Sequence, residues 1–327
     1  MKKTLYLYKS GTLAQKDYSL VLQTKNDAIY IPIQQIDEII CFSEITMNKR
    51  VLMLLNRFRV SISFFNFYGN YIGRYTPKEY VNGKVLVKQV NAFQNEQQRL
   101  YIAKRILNAS LHNENSVLKY YAKKGRELEE MINHMEKYIN RLNECKTVDE
   151  LMLVEANAKQ YYYSSFDVIL NSDDYKFEKR SKNPPENEIN AMLSYGYAIL
   201  YSHYLAVLDR SSLHPQISFI HSLEKNCDSL QYDLADVTKS VIIDRLVLRL
   251  IRKRQISKDM FERREDRCYL NKKGVEFYVT EIDKQLQQTV NVSGKFYSYK
   301  SLISREVHQL SEYIKNEERY DPYLLRW

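Results

Sequence analysis

VSISFFNFYGNYIG, residues 60–73, decides the first half of the fold. Val60, Ile62 and Phe64 alternate with Ser61 and Ser63, the period of two that sends successive side chains to opposite faces of a strand. Asn66-Phe67-Tyr68-Gly69-Asn70 has the turn chemistry of a hairpin, and Tyr71-Ile72-Gly73 begins the return strand. Similar short β-branched and aromatic runs lie upstream, with Leu5 and Leu7 alternating with Tyr6 and Tyr8, then at 19–22, 28–31 and 36–40. The spacing of Val51, Leu54 and Leu55 predicts one helix within this series, over 47–58.

Downstream the period changes. From about residue 86, Leu100, Ala103, Ile106, Leu107 and Leu111 recur every three or four positions, as on one face of a helix. Further helices are predicted at 114–145, 147–170, 188–209, 232–254 and 274–290, with a polar loop carrying Pro184-Pro185 at 171–187. The chain therefore reads as α+β. A small N-terminal β-sandwich-like domain spans 1–78, and a larger all-α domain follows over 79–327, with Gly73, Pro77 and Gly83 punctuating the junction.

Composition narrows the function classes. The 327 residues suffice for a sizeable core, and only 8 Gly and 6 Pro argue for long helices rather than disorder. A net charge of +9 suits an anionic partner, nucleic acid or an acidic membrane surface. The 28 tyrosines suit surfaces that meet bases and phosphates, although an AT-rich genome would enrich Tyr equally. Cys41, Cys145, Cys227 and Cys268 form no CxxC pair, which disfavours a zinc cage. No apolar run reaches the ~18 residues of a membrane span, and MKKTLYLYKSGTL lacks the apolar core of a signal peptide. The expected setting is cytoplasmic, with reduced thiols. GxxxxGK[ST], GxGxxG, GxSxG and HExxH are all absent, so nucleotide hydrolysis, dinucleotide redox and serine-hydrolase chemistry lack their signatures.

What remains is a set of carboxylates and one histidine. Asp233 and Asp236 share a helix face at a spacing of three, where two carboxylates can hold a divalent cation, or one can hold it while the other orients a water. The alternative is that both merely favour the N-terminus of their helix. Glu155 lies beside the apolar stripe of Leu151, Val154 and Ala158, placed either as a partly buried ligand or to reach water. His221, after Phe219 and Ile220, could complete a mixed N/O site or be a buried structural histidine. The other histidines, His203 among them, have no evident carboxylate partner. Arg245, Arg249 and Arg252 form one helical stripe that would meet DNA phosphates or simply be solvated.

At these residues the sequence resembles the CRISPR spacer-acquisition nuclease and integrase family, the "Cas-one" proteins. The resemblance runs through VEANAKQYYYSSF (154–166), SKNPPENEINAMLSYGYAILY (181–201), LHPQISFIH (213–221) and YDLADVTKSVIIDRLV (232–247), and extends to the strand order of the β domain. Thr238-Lys239-Ser240 stand where the family often has Phe-Arg-Pro. The resemblance implies a metal-dependent DNA endonuclease and integrase. Glu155, His221 and Asp236 would ligate Mg2+ or Mn2+, with Asp233 on a metal-bound water or in support. It also implies a homodimer through the β domains, double-stranded DNA fragments and a CRISPR repeat as substrates, and a small "Cas-two" partner in a heterohexamer-type complex. It leaves open a helper nuclease that trims the fragments. The competing readings are a repair nuclease that cuts without joining, a non-catalytic DNA-binding scaffold and a plain helical interaction protein.

Overall fold

In the computed structural model, which describes residues 2–66, 68–77, 82–223 and 228–326, the first eight strands form two four-stranded sheets. They are β1 (Lys3–Leu7), β2 (Gly11–Lys16), β3 (Ser19–Gln23), β4 (Ala28–Ile31), β5 (Ile36–Cys41), β6 (Ile45–Met47), β7 (Ser61–Phe65) and β8 (Tyr71–Tyr75), with helix α1 (Lys49–Phe58) before β7. One sheet has the order β1-β5-β7-β8, parallel except for β8; the other has the order β4-β3-β2-β6. Leu13, Leu20 and Leu22 from the second sheet, Ile39 and Ile62 from the first, and Val51, Leu54 and Leu55 from α1 share one apolar core. Asn48 caps α1 by accepting from Arg50 N at 3.0 Å and Val51 N at 3.3 Å.

Strand parity explains how this sandwich meets the rest of the chain. Along β5, Ile39 and Cys41 enter the sandwich core, while Ile40 belongs to the larger core of the helical half. Along β7, Ile62 faces the sandwich and Phe65 the helices. The two middle strands of the first sheet, β5 and β7, are thus buried on both faces. Polar ties reinforce the contact. Arg74 of β8 grips Asp209 through Nε at 2.8 Å and Nη2 at 2.9 Å, and also pairs with Asp228. Glu38 of β5 lies 2.6 Å from Nδ1 of His203, both side chains buried, so a strand 165 positions away supplies the carboxylate that the sequence did not reveal.

The helical half comprises α2 (Gly83–Gln94), α3 (Glu96–Ala122), α4 (Glu129–Arg141), α5 (Val148–Leu170), α6 (Glu188–Leu208), α7 (Leu230–Asp236), α8 (Arg245–Arg252), α9 (Lys272–Gln287) and α10 (Tyr299–Asn316). It also carries two hairpins, β9 (Phe261–Arg264) with β10 (Arg267–Leu270) and β11 (Thr289–Val292) with β12 (Lys295–Ser298). The helix expected over 114–145 is two helices, because Gly125 takes φ +80 and its N–H bonds back to Ala122 O, closing α3 before α4 begins. The helix expected over 232–254 is interrupted by a π-helical turn at Ser240–Asp244. The segment 171–187 is irregular throughout. The expected domain boundary at 78/79 lies outside the described residues. Cys41, Cys145 and Cys268 are buried free thiols, while Cys227 lies outside the described residues. Among the described residues no helix is long and apolar enough to cross a membrane.

Candidate metal and DNA site

Three elements bring the sequence's candidates to one place. Thr147 caps α5 by accepting from Glu150 N at 3.2 Å. Leu151, Val154, Ala158 and Tyr162 then bury one face of α5, which leaves Glu155 and, one turn later, Lys159 at the edge of that face. His221 lies within the segment between α6 and α7; Phe219 and Ile220, both buried, anchor that segment in the core. Asp236 closes α7 with its side chain 1% exposed. Glu155, His221 and Asp236 line a single cavity of 830 Å3, together with Lys159, Lys239 and Tyr201.

Asp233 is fully buried and turns away from this cavity, toward the backbone of the 219–221 loop. Its Oδ2 accepts from Phe219 N at 2.6 Å and Ile220 N at 3.0 Å; its Oδ1 accepts from His221 N at 3.2 Å and lies 2.6 Å from His221 Nδ1. One carboxylate therefore holds both the loop and the imidazole. With Nδ1 engaged, Nε2 is the histidine nitrogen left for a ligand, the arrangement in which a carboxylate fixes ring orientation and raises basicity. Burial depresses the His221 pKa, but the Asp233 bond and charge outweigh it, and the imidazole titrates above its usual range.

Sequence reasoning missed two lysines. Lys159 pairs with Glu155 one helical turn away and lies 3.6 Å from Asp236 Oδ1; Lys239 pairs with Asp236 at a spacing of three. Both spacings are those of helix-surface ion pairs and were legible in principle. Burial would raise the Asp236 pKa, yet Lys159, Lys239 and His221 hold it well below the usual carboxylate range. Behind the cavity, Asp244 accepts from Tyr162 OH at 2.9 Å and Tyr197 OH at 2.5 Å, and burial still lifts its pKa to about 6. Burial likewise lifts Glu114, opposed by Lys159, to about 8.

Two carboxylates and one pre-oriented imidazole make a donor set suited to Mg2+ or Mn2+. Among the described residues, however, no three His, Cys, Asp or Glu side chains stand close enough together to hold an ion. The ammonium of Lys159 lies between Glu155 and Asp236, so a cation already occupies the gap that a metal would take. The donors fit in kind, and the gap between the two carboxylates is filled by the Lys159 ammonium. Arg245, Arg249 and Arg252 do not line this cavity; they meet at another, with no wall residue in common. A third cavity, of 480 Å3, shares Lys159, Tyr163, Arg180, Lys182, Tyr201 and Lys239 with the candidate site and runs on to Tyr68–Tyr71 of the β7–β8 hairpin.

The β-sandwich joined to a helical half, with this cavity inside the latter, defines a class that known proteins share. The family model "CRISPR associated protein Cas1" matches residues 5–284. A CRISPR-associated endonuclease Cas1 of Thermodesulfovibrio yellowstonii is 35% identical over 330 residues, covering 100% of both chains. A solved Cas1 protein from Thermotoga maritima superposes with a TM-score of 0.87 at 32% identity, covering 98% of this chain and 100% of the other. A casposase bound to integration product shares the fold at a TM-score of 0.87 and 22% identity, covering 98% of this chain and 94% of the other. The chain belongs to the CRISPR-associated Cas1 family.

Proposed function

We propose that this chain is a metal-dependent DNA endonuclease and integrase that inserts short DNA fragments into a CRISPR array. The observation that carries the reading is the convergence of Glu155, Asp236 and an Asp233-oriented His221 on one cavity with cationic walls. Glu155, Asp236 and His221 Nε2 would hold Mg2+ or Mn2+. When bound, the ion would neutralise charge developing on the scissile phosphate and lower the pKa of a nucleophilic hydroxyl or water.

The chain's own groups do the rest. Lys239, and Lys159 once displaced, would pair with phosphate oxygens, since each carries a firmly held proton beside the carboxylates. Tyr163, Tyr201, Arg180 and Lys182 line the joint between the two neighbouring cavities, and such a mixture of rings and cations suits an unpaired strand end. A DNA 3′-hydroxyl delivered along that path would give strand transfer, and water would give cleavage.

Two copies would supply two sites for the two ends of a fragment. The β half supports a homodimer there: edge strand β4 exposes Tyr30 at 58% and edge strand β8 exposes Ile72 at 67%, open edges of a kind that a second chain can cover. A small Cas2-type partner and a cytoplasmic setting belong to this proposal on the strength of family membership alone.

The test is strand transfer on a supercoiled plasmid carrying a repeat, with a short duplex bearing free 3′ ends and Mn2+ or Mg2+. Joined product from the wild type, and none from Glu155→Ala, His221→Ala or Asp236→Ala that still bind DNA, is expected. Cleavage without joining, even with the partner protein supplied, reduces the reading to a nuclease. Equal products from wild type and variants remove the site assignment.

A further inference from the structure

At the surface of the helical half, away from the candidate catalytic cavity, four cationic side chains converge on one cavity. Arg245, Arg249, Arg252 and Lys253 line a cavity of 280 Å3 with Tyr120 and Tyr121, and no Asp or Glu is among the described residues of its wall. The helical period brings Arg245, Arg249 and Arg252 to one side of α8, while its other residues, Leu246, Val247, Leu248, Leu250 and Ile251, are buried.

The arginines are held rather than trailing in water. The Arg252 guanidinium lies 5.0 Å from the Tyr121 ring centre, and that of Arg245 lies 5.7 Å from the Tyr120 ring centre. Arg245 Nη1 donates to Tyr299 OH at 3.0 Å. Arg249 reaches Glu281 Oε2 at 3.1 Å, just outside the wall, and its buried Nε has no hydrogen-bond partner among the described residues. Pre-ordered like charges repel one another, and the strain is relieved by an anion that accepts several N–H bonds at once. The guanidinium fork matches phosphate oxygens, and the cavity is at the small end of ligand pockets.

We propose that this cavity is a second nucleic-acid contact, a phosphate-binding pocket that seats a backbone phosphate of DNA lying outside the catalytic cavity. It deepens the proposed function, on which it rests for the choice of DNA as ligand. It also gives the α8 arginines a discrete pocket rather than a diffuse basic face.

The test measures DNA binding in EDTA, by fluorescence anisotropy of a labelled duplex without repeat sequence, from about 50 to about 200 mM salt. Arg252→Gln/Lys253→Gln is compared with wild type and with Arg254→Gln, whose side chain lies outside the cavity wall. Each lost phosphate contact reduces the slope of log K against log salt by about 0.9, so the double variant, losing the one phosphate seated in the pocket, should lose up to about 0.9 and Arg254→Gln close to none. A parallel arm reads thermal stabilisation by inorganic phosphate. Lost slope assigns the pocket to backbone phosphate. Unchanged slope with lost phosphate stabilisation keeps a phosphate pocket and makes free phosphate its source. If neither changes, or if Arg254→Gln loses as much slope as the double variant, the proposal is overturned. Should the double variant not fold, the exposed Lys253→Gln alone carries the comparison, with half the expected loss. Binding in EDTA is read without cleavage, so failure here is distinct from failure of the metal-dependent reading.

Discussion

Asp233→Asn isolates the carboxylate that holds the site together. In the wild type its two oxygens serve four nitrogens, Phe219 N and Ile220 N on Oδ2, His221 N and Nδ1 on Oδ1, at 2.6–3.2 Å. An asparagine keeps the shape but can present only one oxygen; the amide on the other side faces two N–H donors with a third. Two of the four wild-type bonds are therefore lost whichever way the amide turns, and the amide regains one only by donating to Nδ1 in the tautomer that protonates Nε2 and so blocks it as a ligand. Hydrogen bonds to a charged group are worth about 1.5–3 kcal/mol each, and relief from burying a charge offsets part of the loss. The expected net destabilisation is about 2–4 kcal/mol, read as a lower urea midpoint with unchanged m-value. Loss of the orienting bond to Nδ1 should weaken Mn2+ binding about 10–100-fold by calorimetry. An Asp233→Asn protein with wild-type stability and wild-type Mn2+ affinity would refute the claim that this carboxylate fixes His221.

Three further outcomes follow from the same geometry. Lys159→Met empties the gap between Glu155 and Asp236, so Mn2+ no longer has to break a buried ion pair; titration calorimetry should show binding tightened about tenfold, and weaker binding would make Lys159 a supporting group instead. Glu114, buried with one carboxyl oxygen unpartnered, has a pKa of about 8 against an ordinary 4.5, so between those values the folded chain keeps a proton that the unfolded chain has lost, and stability falls as pH rises through that window. Glu114→Gln should flatten that fall by at most about 1.4 kcal/mol per pH unit in EDTA, and an unchanged slope in chemical denaturation would argue against a protonated Glu114. Gly69 sits at φ +80 with the Tyr195 ring 2.2 Å from where a Cβ would be, so Gly69→Ala should lose about 1–3 kcal/mol, visible as a lower Tm; an unaffected Tm would show that the hairpin shifts freely off α6.

The sandwich was legible because alternation and turn residues act locally, as in residues 60–73. Ile36–Cys41 was legible as a strand but not as one buried on two faces, since that depends on where the helices pack. The division of 114–145 turned on one glycine, Gly125, whose positive φ no helical period announces. The π turn at Ser240–Asp244 was hidden because all five residues are buried, so no polar face marks a change of period. The β9–β10 hairpin was hidden for the opposite reason: FERR is too charged to read as a strand, and RCYL is only four residues long. In the site, spacing put Asp233 and Asp236 on one helix face, whereas the structure divides their work. Asp236 lines the cavity, and Asp233 turns back to cap a loop 12 to 14 residues upstream, a contact that no local pattern encodes. Glu155 and His221 stood out in the sequence only as candidates with a structural alternative each, because the side chains they join across the cavity come from other segments of the chain.

The most direct measurement is anomalous diffraction at the manganese edge from crystals of the protein soaked with Mn2+. One strong peak is expected about 2.0–2.4 Å from an oxygen of Glu155, an oxygen of Asp236 and Nε2 of His221, with the Lys159 ammonium moved out of the gap. No peak there, with Lys159 still bridging the two carboxylates in a preparation that cuts DNA, would contradict the metal assignment.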